Sequence, residues 1–271
     1  MIPTRRALVR RLLAIASLPA FSLLASCATT PNAPAPREVL APAGVLRVAV
    51  YPGSPTSLVQ QASEDQMRGV TVDLGRALAE RLGVPAKIQV YPRVAEVVAA
   101  LQRGEADFTV TNSSAERARL VDFARPVLQL ELGVLVPRGS PVQAVDALDR
   151  AGLVVGVSQG SSSERVLGGR FQQAKLRTFP SLAAAAEALR RGEVAAFATN
   201  KGILFELADQ VPGSQVLPGA WGAEHLAPAI PKGREAGMPY LNEFAEALRT
   251  DGGVQRAADR AGLRGIAPVT D

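Results

Sequence analysis

Two short stretches of this 271-residue chain read almost alike: LQRGEADFTVTN at residues 101–112 returns 88 positions later as LRRGEVAAFATN at 189–200. Each ends in Thr-Asn, so Asn112 and Asn200 form a matched pair of side-chain amides, able both to donate and to accept hydrogen bonds. Behind Asn112 comes SSAER (113–117), and a second such run, SSSER, occupies 161–165. Serine three residues before glutamate is the capping-box pattern and predicts a helix start; helix N-termini present unpaired N–H groups and a partial positive charge to anions. The chemistry this favours is non-covalent capture of a carboxylate or phosphate. A further stretch, GVSQG (156–160), is a literal G-x-S-x-G, the form of a hydrolase nucleophile elbow, with His225, the single histidine, downstream. It reads equally well as a glycine-rich turn.

The elements that must position these residues alternate along the chain. Strands are expected at 45–50, 86–91, 107–112, 130–136, 153–157, 175–179, 195–199 and 226–230, from short runs rich in β-formers. Between them Leu74, Leu78 and Leu82, Val97 with Leu101, and Leu241 with Ala245 recur at helical spacing, and Gly83, Gly104, Gly192 and Gly252 fall where such helices should stop. Alternation of this kind means α/β layers. Each copy of the repeat is then a helix, an RGE turn and a buried strand, with its Thr-Asn at the strand's carboxyl end, where open α/β sheets bind ligands. One copy in each of two lobes places Asn112 and Asn200 on opposite walls of a shared cleft.

The amino terminus has a separate purpose. TRRALVRRLLAIASLPAFSLLASC joins four arginines to an apolar run too short to span a bilayer comfortably, which predicts a cleaved signal segment over residues 1–27. Its ending, LASC, has the form of a lipobox, making Cys27 the lipidated residue, and Thr4-Arg5-Arg6 also fits a twin-arginine signal. The destination is the cell envelope, on the periplasmic face of a membrane. Residues 1–26 hold four arginines and no acids, so their removal takes the net charge from +5 to +1. Nothing then calls for a nucleic acid partner. Cys27 is the only cysteine, which excludes an intramolecular disulfide. Residues 28–43, with prolines at 31, 34, 36 and 42, read as an extended tether. No metal cluster, cofactor motif or catalytic constellation is expected.

Four longer stretches carry a resemblance: VTVDLGRALAERLGV (70–84), ALQRGEADFTVTNSSAERARLVDFARPV (100–127), VGVSQGSSSE (155–164) and MPYLNEFAEALRTDGG (238–253). They resemble the bacterial extracellular solute-binding proteins of family 3, the polar amino-acid receptors of ABC importers, and they do so in the family's order. The resemblance implies a type II periplasmic-binding-protein-like fold of two α/β lobes joined by two crossing strands. Lobe 1 would comprise 44–128 plus 227–271 and lobe 2 129–226, with crossings near 128–133 and 224–229.

The resemblance also implies a site. Arg117 matches the arginine that clamps the ligand's α-carboxylate; Asn112 and Ser114 match positions on the same wall; Ser161 and Ser162 match the turn that donates from the other lobe. Two departures bear on the ligand. Asn200 stands where the family usually has an aspartate that meets the ligand's ammonium, and in place of an aromatic platform YPGSPTS offers Tyr51 with Ser54, Thr56 and Ser57. Arg165 is open to reading as a second anion contact or as a solvated helix residue. The function so implied is a lipid-anchored, monomeric, non-enzymatic receptor that takes a small carboxylate-bearing solute, an amino acid or organic acid, by hinge closure and hands it to an ABC permease. A sensor input protein, and an enzyme like the cyclohexadienyl dehydratases with Glu164 or Glu224 as cleft acid, are the alternatives.

Overall fold

The computed structural model describes residues 34–59, 63 and 66–267. The expected signal segment with Cys27, and the start of the tether, lie outside them. The described chain opens on a short helix, α1 (Pro36–Leu40), whose Leu40 is buried completely and is followed by a buried Ala41. The extended tether expected to reach residue 43 therefore gives way to packed structure earlier. Pro36 suits a first helical turn, where its missing N–H costs nothing, and Leu40 is the apolar anchor.

Strand β1 (Leu46–Val50) is followed by α2 (Val70–Leu82), β2 (Ala86–Val90), α3 (Val94–Gln102) and β3 (Thr109–Asn112). Helix α2 buries Val70, Leu74 and Leu78 along one stripe and ends at Gly83, which adopts the left-handed conformation (φ 68°) that glycine tolerates best. Then come β4 (Val121–Phe123), β5 (Leu128–Val136), β6 (Val154–Ser158), α4 (Ser162–Arg170), β7 (Lys175–Phe179) and α5 (Leu182–Arg190). The remainder is β8 (Ala196–Asn200), α6 (Lys201–Gln210), β9 (Gln215–Val216), β10 (Gly222–Pro231), α7 (Met238–Thr250), α8 (Gly253–Arg260) and β11 (Ile266–Ala267).

The main sheet runs β3-β10-β5-β8-β6-β7, with β4 on β10 and with β9 and β11 on β5. Strands β1 and β2 pair in parallel, and a bridge between Val48 and Phe108 brings β1 alongside the lead-in to β3. Strand β5 links two regions of the interior. Its Leu128 and Leu130 pack in one apolar core with Leu74, Leu78 and Phe108. Beyond Leu132 the same strand supplies Leu135 to a core with Phe179, Leu189 and Phe197, and Val134 and Val136 to a core with Val155 and Val157. Strand β10 accompanies it, pairing with β5 over 222–226 and with β3 over 226–229. This is the two-lobed α/β architecture with β5 and β10 as the crossing strands.

All eight expected strands are present, and β4, β9 and β11 are additional short ones. One expected helix is not formed. SSAER gives only a single 3₁₀ turn, Arg117–Arg119, because Ser113 is spent on the His225 carbonyl, accepting nothing, and the chain re-enters the sheet at Val121. SSSER does form its capping box: Ser161 Oγ accepts from the N–H of Glu164 (3.1 Å), and the Glu164 carboxylate accepts from the N–H of Gly160.

A buried ion cluster ties the β1, β3 and α7 region together. The Asp107 carboxylate, with no exposed surface, accepts from the Arg47 main-chain N–H (2.9 Å), from the Arg47 guanidinium (2.7 and 2.8 Å) and from Arg234 (2.8 Å). It thereby joins β1, the entry to β3 and the turn before α7.

Candidate functional site

The carboxyl ends of β3 and β8, where the repeat places its Thr-Asn pairs, meet at one cavity. Asn112 lies on one side and donates from Nδ2 to Ser162 Oγ at 3.0 Å, directly across the opening. Asn200, 5 % exposed, is the N-cap of α6: its Oδ1 accepts from the N–H of Ile203 at 3.0 Å, and its Nδ2 donates to Glu224 Oε1 at 2.7 Å. The matched ends of the repeat thus face one cavity but are used differently.

Arg117 projects into the same cavity from the 3₁₀ turn and is 5 % exposed. Its Nη1 donates to Thr111 Oγ1 at 2.8 Å, which fixes the guanidinium on the wall and leaves its other N–H groups for a ligand. Burial pulls its pKa below the usual arginine value, while the nearby Glu224 carboxylate pulls it back up. Ser114 does not line the cavity; its Oγ accepts from the Arg117 main-chain N–H (3.3 Å) and so holds the turn that aims the guanidinium. Tyr51 follows β1 and lines the cavity beside Thr56, with its main-chain N–H on Ser57 Oγ (2.8 Å). Burial pushes its phenol upward, opposed by a hydrogen bond from the Ser54 side. Ser161 and Ser162 form the opposite rim at the start of α4, with Ser161 Oγ already engaged by the helix.

The cavity also contains residues that the spacing of the sequence did not single out for binding: Phe179, Leu182 and Ile203 as apolar lining, and Glu224. The sequence offers Glu224 as a residue of the second crossing and as a cleft acid of the enzymatic alternative; the structure turns its carboxyl into the cavity. Strand β10 begins at Gly222, four residues before the 226 expected, and alternation along it puts Glu224 and Leu226 on the cavity side. Burial raises the Glu224 pKa, with Arg117 and the Asn200 hydrogen bond acting in the lowering direction. No direct ion pair joins Arg117 to Glu224 among the described residues, so a guanidinium and a carboxyl group face one cavity separately. Glu164, the other candidate acid, is confined to its capping role.

Two further contacts cross the opening. Arg165 pairs with Glu116 of the opposite wall. Gly160 (φ 70°) approaches helix α3 so closely that a Cβ there would lie 2.5 Å from that of Ala95. At Gly156 a Cβ would fall 2.8 Å from Phe197 and 2.9 Å from Phe179. Both glycines of GVSQG thus have packing reasons, and no hydrogen bond joins Ser158 to His225 among the described residues.

Residues 46–262 match the profile of the bacterial extracellular solute-binding proteins, family 3. This chain belongs to that family. Among relatives of this family 3 protein is the ABC transporter glutamine-binding protein GlnH of Bacillus subtilis, 26 % identical over 198 residues, which are 72 % of each chain. Among solved structures, the solute receptor for L-cysteine of Neisseria gonorrhoeae superposes with a TM-score of 0.74 at 25 % identity, covering 84 % of this chain and 93 % of that one. The ancestral amino acid-binding protein AncCDT-1, a precursor of cyclohexadienyl dehydratase, superposes with a TM-score of 0.71 at 25 % identity, covering 83 % of this chain and 97 % of the other. Among the described residues of the family 3 protein no helix is long and apolar enough to cross a membrane, and no cluster of His, Cys, Asp and Glu suits a metal ion.

Proposed function

We propose that this protein captures a free amino acid for an ABC importer, clamping the α-carboxylate with Arg117 and closing two lobes around it. The observation that carries this reading is the buried Arg117 guanidinium, fixed by Thr111 and facing a cavity lined from both sides. A planar guanidinium pairs with a carboxylate through two parallel hydrogen bonds, and burial strengthens that pairing. Asn112 and the α4 turn with Ser161 and Ser162 complete the carboxylate site; Asn200 and Tyr51 shape its far side. The amino-acid ligands named for the relatives support the class. The partition of apolar cores supports lobes of 44–128 plus 227–271 and 129–226, and the Asn112–Ser162 and Glu116–Arg165 contacts support closure of one onto the other. A ligand that touches both walls only when they meet shifts the population toward the closed form. The protein acts as a monomer, with the permease as its partner.

A thermal-shift panel tests the reading. L-amino acids, their decarboxylated amines and a set of dicarboxylates are added to the purified protein. An amino acid at about 100 times its dissociation constant stabilises the fold by roughly 2.7 kcal/mol, and its decarboxylated amine does not. Stabilisation by amines alone, or by no amino acid, defeats the proposal.

The LASC ending supports lipid anchoring through Cys27 on the periplasmic face of the envelope. Cys27→Ala is expected to move the protein from the membrane fraction to the soluble fraction on cell fractionation; unchanged sedimentation with membranes would remove the anchor.

A second reading has an observation of its own. A carboxyl in a closed cleft with a raised pKa suits general acid work, and Glu224 is such a group in a fold shared with a dehydratase precursor. Incubation with cyclohexadienyl substrates, followed by absorbance of an aromatic product, decides it.

A further inference from the structure

Asn200 stands where the resemblance implies a carboxylate for a ligand's ammonium group, yet both ends of its side chain are already engaged within the protein. Oδ1 caps α6 through Ile203 and Nδ2 is held on Glu224 Oε1. The cap fixes which way round the amide sits, because only oxygen can accept from the Ile203 N–H. The amide nitrogen must then point at Glu224. An amide so placed has little left for a cation, whereas it orients a carboxylate beside it.

We propose that Glu224, held by Asn200, is the residue that receives the ligand's ammonium group, so that the cleft selects zwitterionic α-amino acids over carboxylates lacking an amine. The inference rests on the amino-acid reading of the site. Its basis is geometric. Glu224 lies on the cavity side of β10, one of its oxygens is taken by Asn200, and the other is neither engaged by protein nor sealed away from the cavity. Arg117 looks onto the same space without pairing with it. A zwitterion brings the opposite charge to each, and a neutral pair of buried charges avoids the desolvation cost that either would carry alone. A dicarboxylate would set a negative charge against Glu224. The negative charge that Asn200 lacks is thus supplied from the crossing strand, across one hydrogen bond.

The test compares wild type, Glu224→Gln and the double variant Glu224→Gln with Asn200→Asp, by calorimetric titration with the L-amino acid that stabilises best in the panel and with its 2-hydroxy acid. Wild type is expected to favour the amino acid, and Glu224→Gln to lose about 100-fold or more in amino-acid affinity while holding the hydroxy acid within a few-fold. The double variant, with a carboxylate returned to the neighbouring position, should recover amino-acid binding.

A pH profile on wild type supplies a readout that does not depend on a variant folding. Arg117 and Tyr51 are the charged or titratable groups that act on Glu224 across the cavity, and neither changes state near neutral pH; His225, the next residue along β10, is not part of the cavity lining, and a His225→Gln variant serves as the control for the profile. Protonation of Glu224 removes the partner of the ammonium, so amino-acid affinity should fall as the pH drops through the raised Glu224 value while hydroxy-acid affinity does not. Equal affinity of wild type for both ligands, amino-acid binding by Glu224→Gln within a few-fold of wild type, or parallel pH profiles for the two ligands would each overturn the assignment while leaving the binding function in place. A wild type that binds no amino acid overturns the function and this assignment together.

Discussion

Arg117→Ala is expected to abolish amino-acid binding, with a loss of several kcal/mol, the usual consequence of removing one partner of a buried, hydrogen-bonded charge pair. The guanidinium is held by Thr111 against the cavity wall, and the nearby Arg165 is engaged by Glu116. Titration calorimetry reads the loss directly, and near wild-type affinity would refute the clamp. Arg117→Lys keeps the charge but forfeits the planar fork, and the 3₁₀ turn that aims residue 117 is built for the longer, flatter group; an intermediate loss of at least about tenfold is expected. Asn112, whose amide already bridges to Ser162, cannot supply the missing charge.

The second large effect concerns the fold. Asp107→Ala removes the buried acceptor shared by Arg47 and Arg234 and leaves two partly exposed arginines without their counter-charge, at a cost of about 2–3 kcal/mol. Chemical denaturation measures it, and a change of under about 1 kcal/mol would show that the cluster contributes little. Asp107→Asn keeps the shape and isolates the charge. Burial acts to raise the Asp107 pKa, but the hydrogen bonds from Arg47 and Arg234 outweigh it, so the folded value lies below the ordinary 3.8. A carboxylate depressed on folding contributes its full stability above the unfolded value and loses it as pH falls through the folded one. The wild type should therefore shed part of its stability below about pH 4, a component absent from the melting curves of the Asp107→Asn variant.

Much of this was legible in the residues. Runs of β-branched and aromatic residues, helical leucine spacing and glycines at helix ends carry local information, and they placed the strands and the stops of α2, α3 and α5. The repeat brought Asn112 and Asn200 to one cavity because a helix, a turn and a strand of equal length deliver their last residue to the same level of a sheet. What stayed hidden depends on distant parts of the chain. Glu224 faces inward only because β10 pairs with β5 in a register that sets it opposite Leu130. SSAER carries the same capping pattern as SSSER, but Ser113 is claimed by His225, far along the chain, so the helix never starts. Leu40 looks like part of a proline-rich tether until α1 packs it into the core, where it would touch a side chain at Gly237. The Asp107 cluster could have been suspected from the repeat itself, since the second copy has Ala195 at the same place.

Strand β10 carries Glu224 within its pairing with β5, two residues before its pairing with β3 begins at Leu226, and so on the proposed hinge. A contact made at a pivot changes little as the jaws swing, so it holds the solute equally in the open and shut forms and cannot by itself drive one to the other. In the proposed closure Ser161 and Ser162, at the far rim, would travel the most and would touch the solute only at the end of the swing. A cleft closing in that way would divide its labour: chemistry judged at the axle, and the order to shut given at the lip.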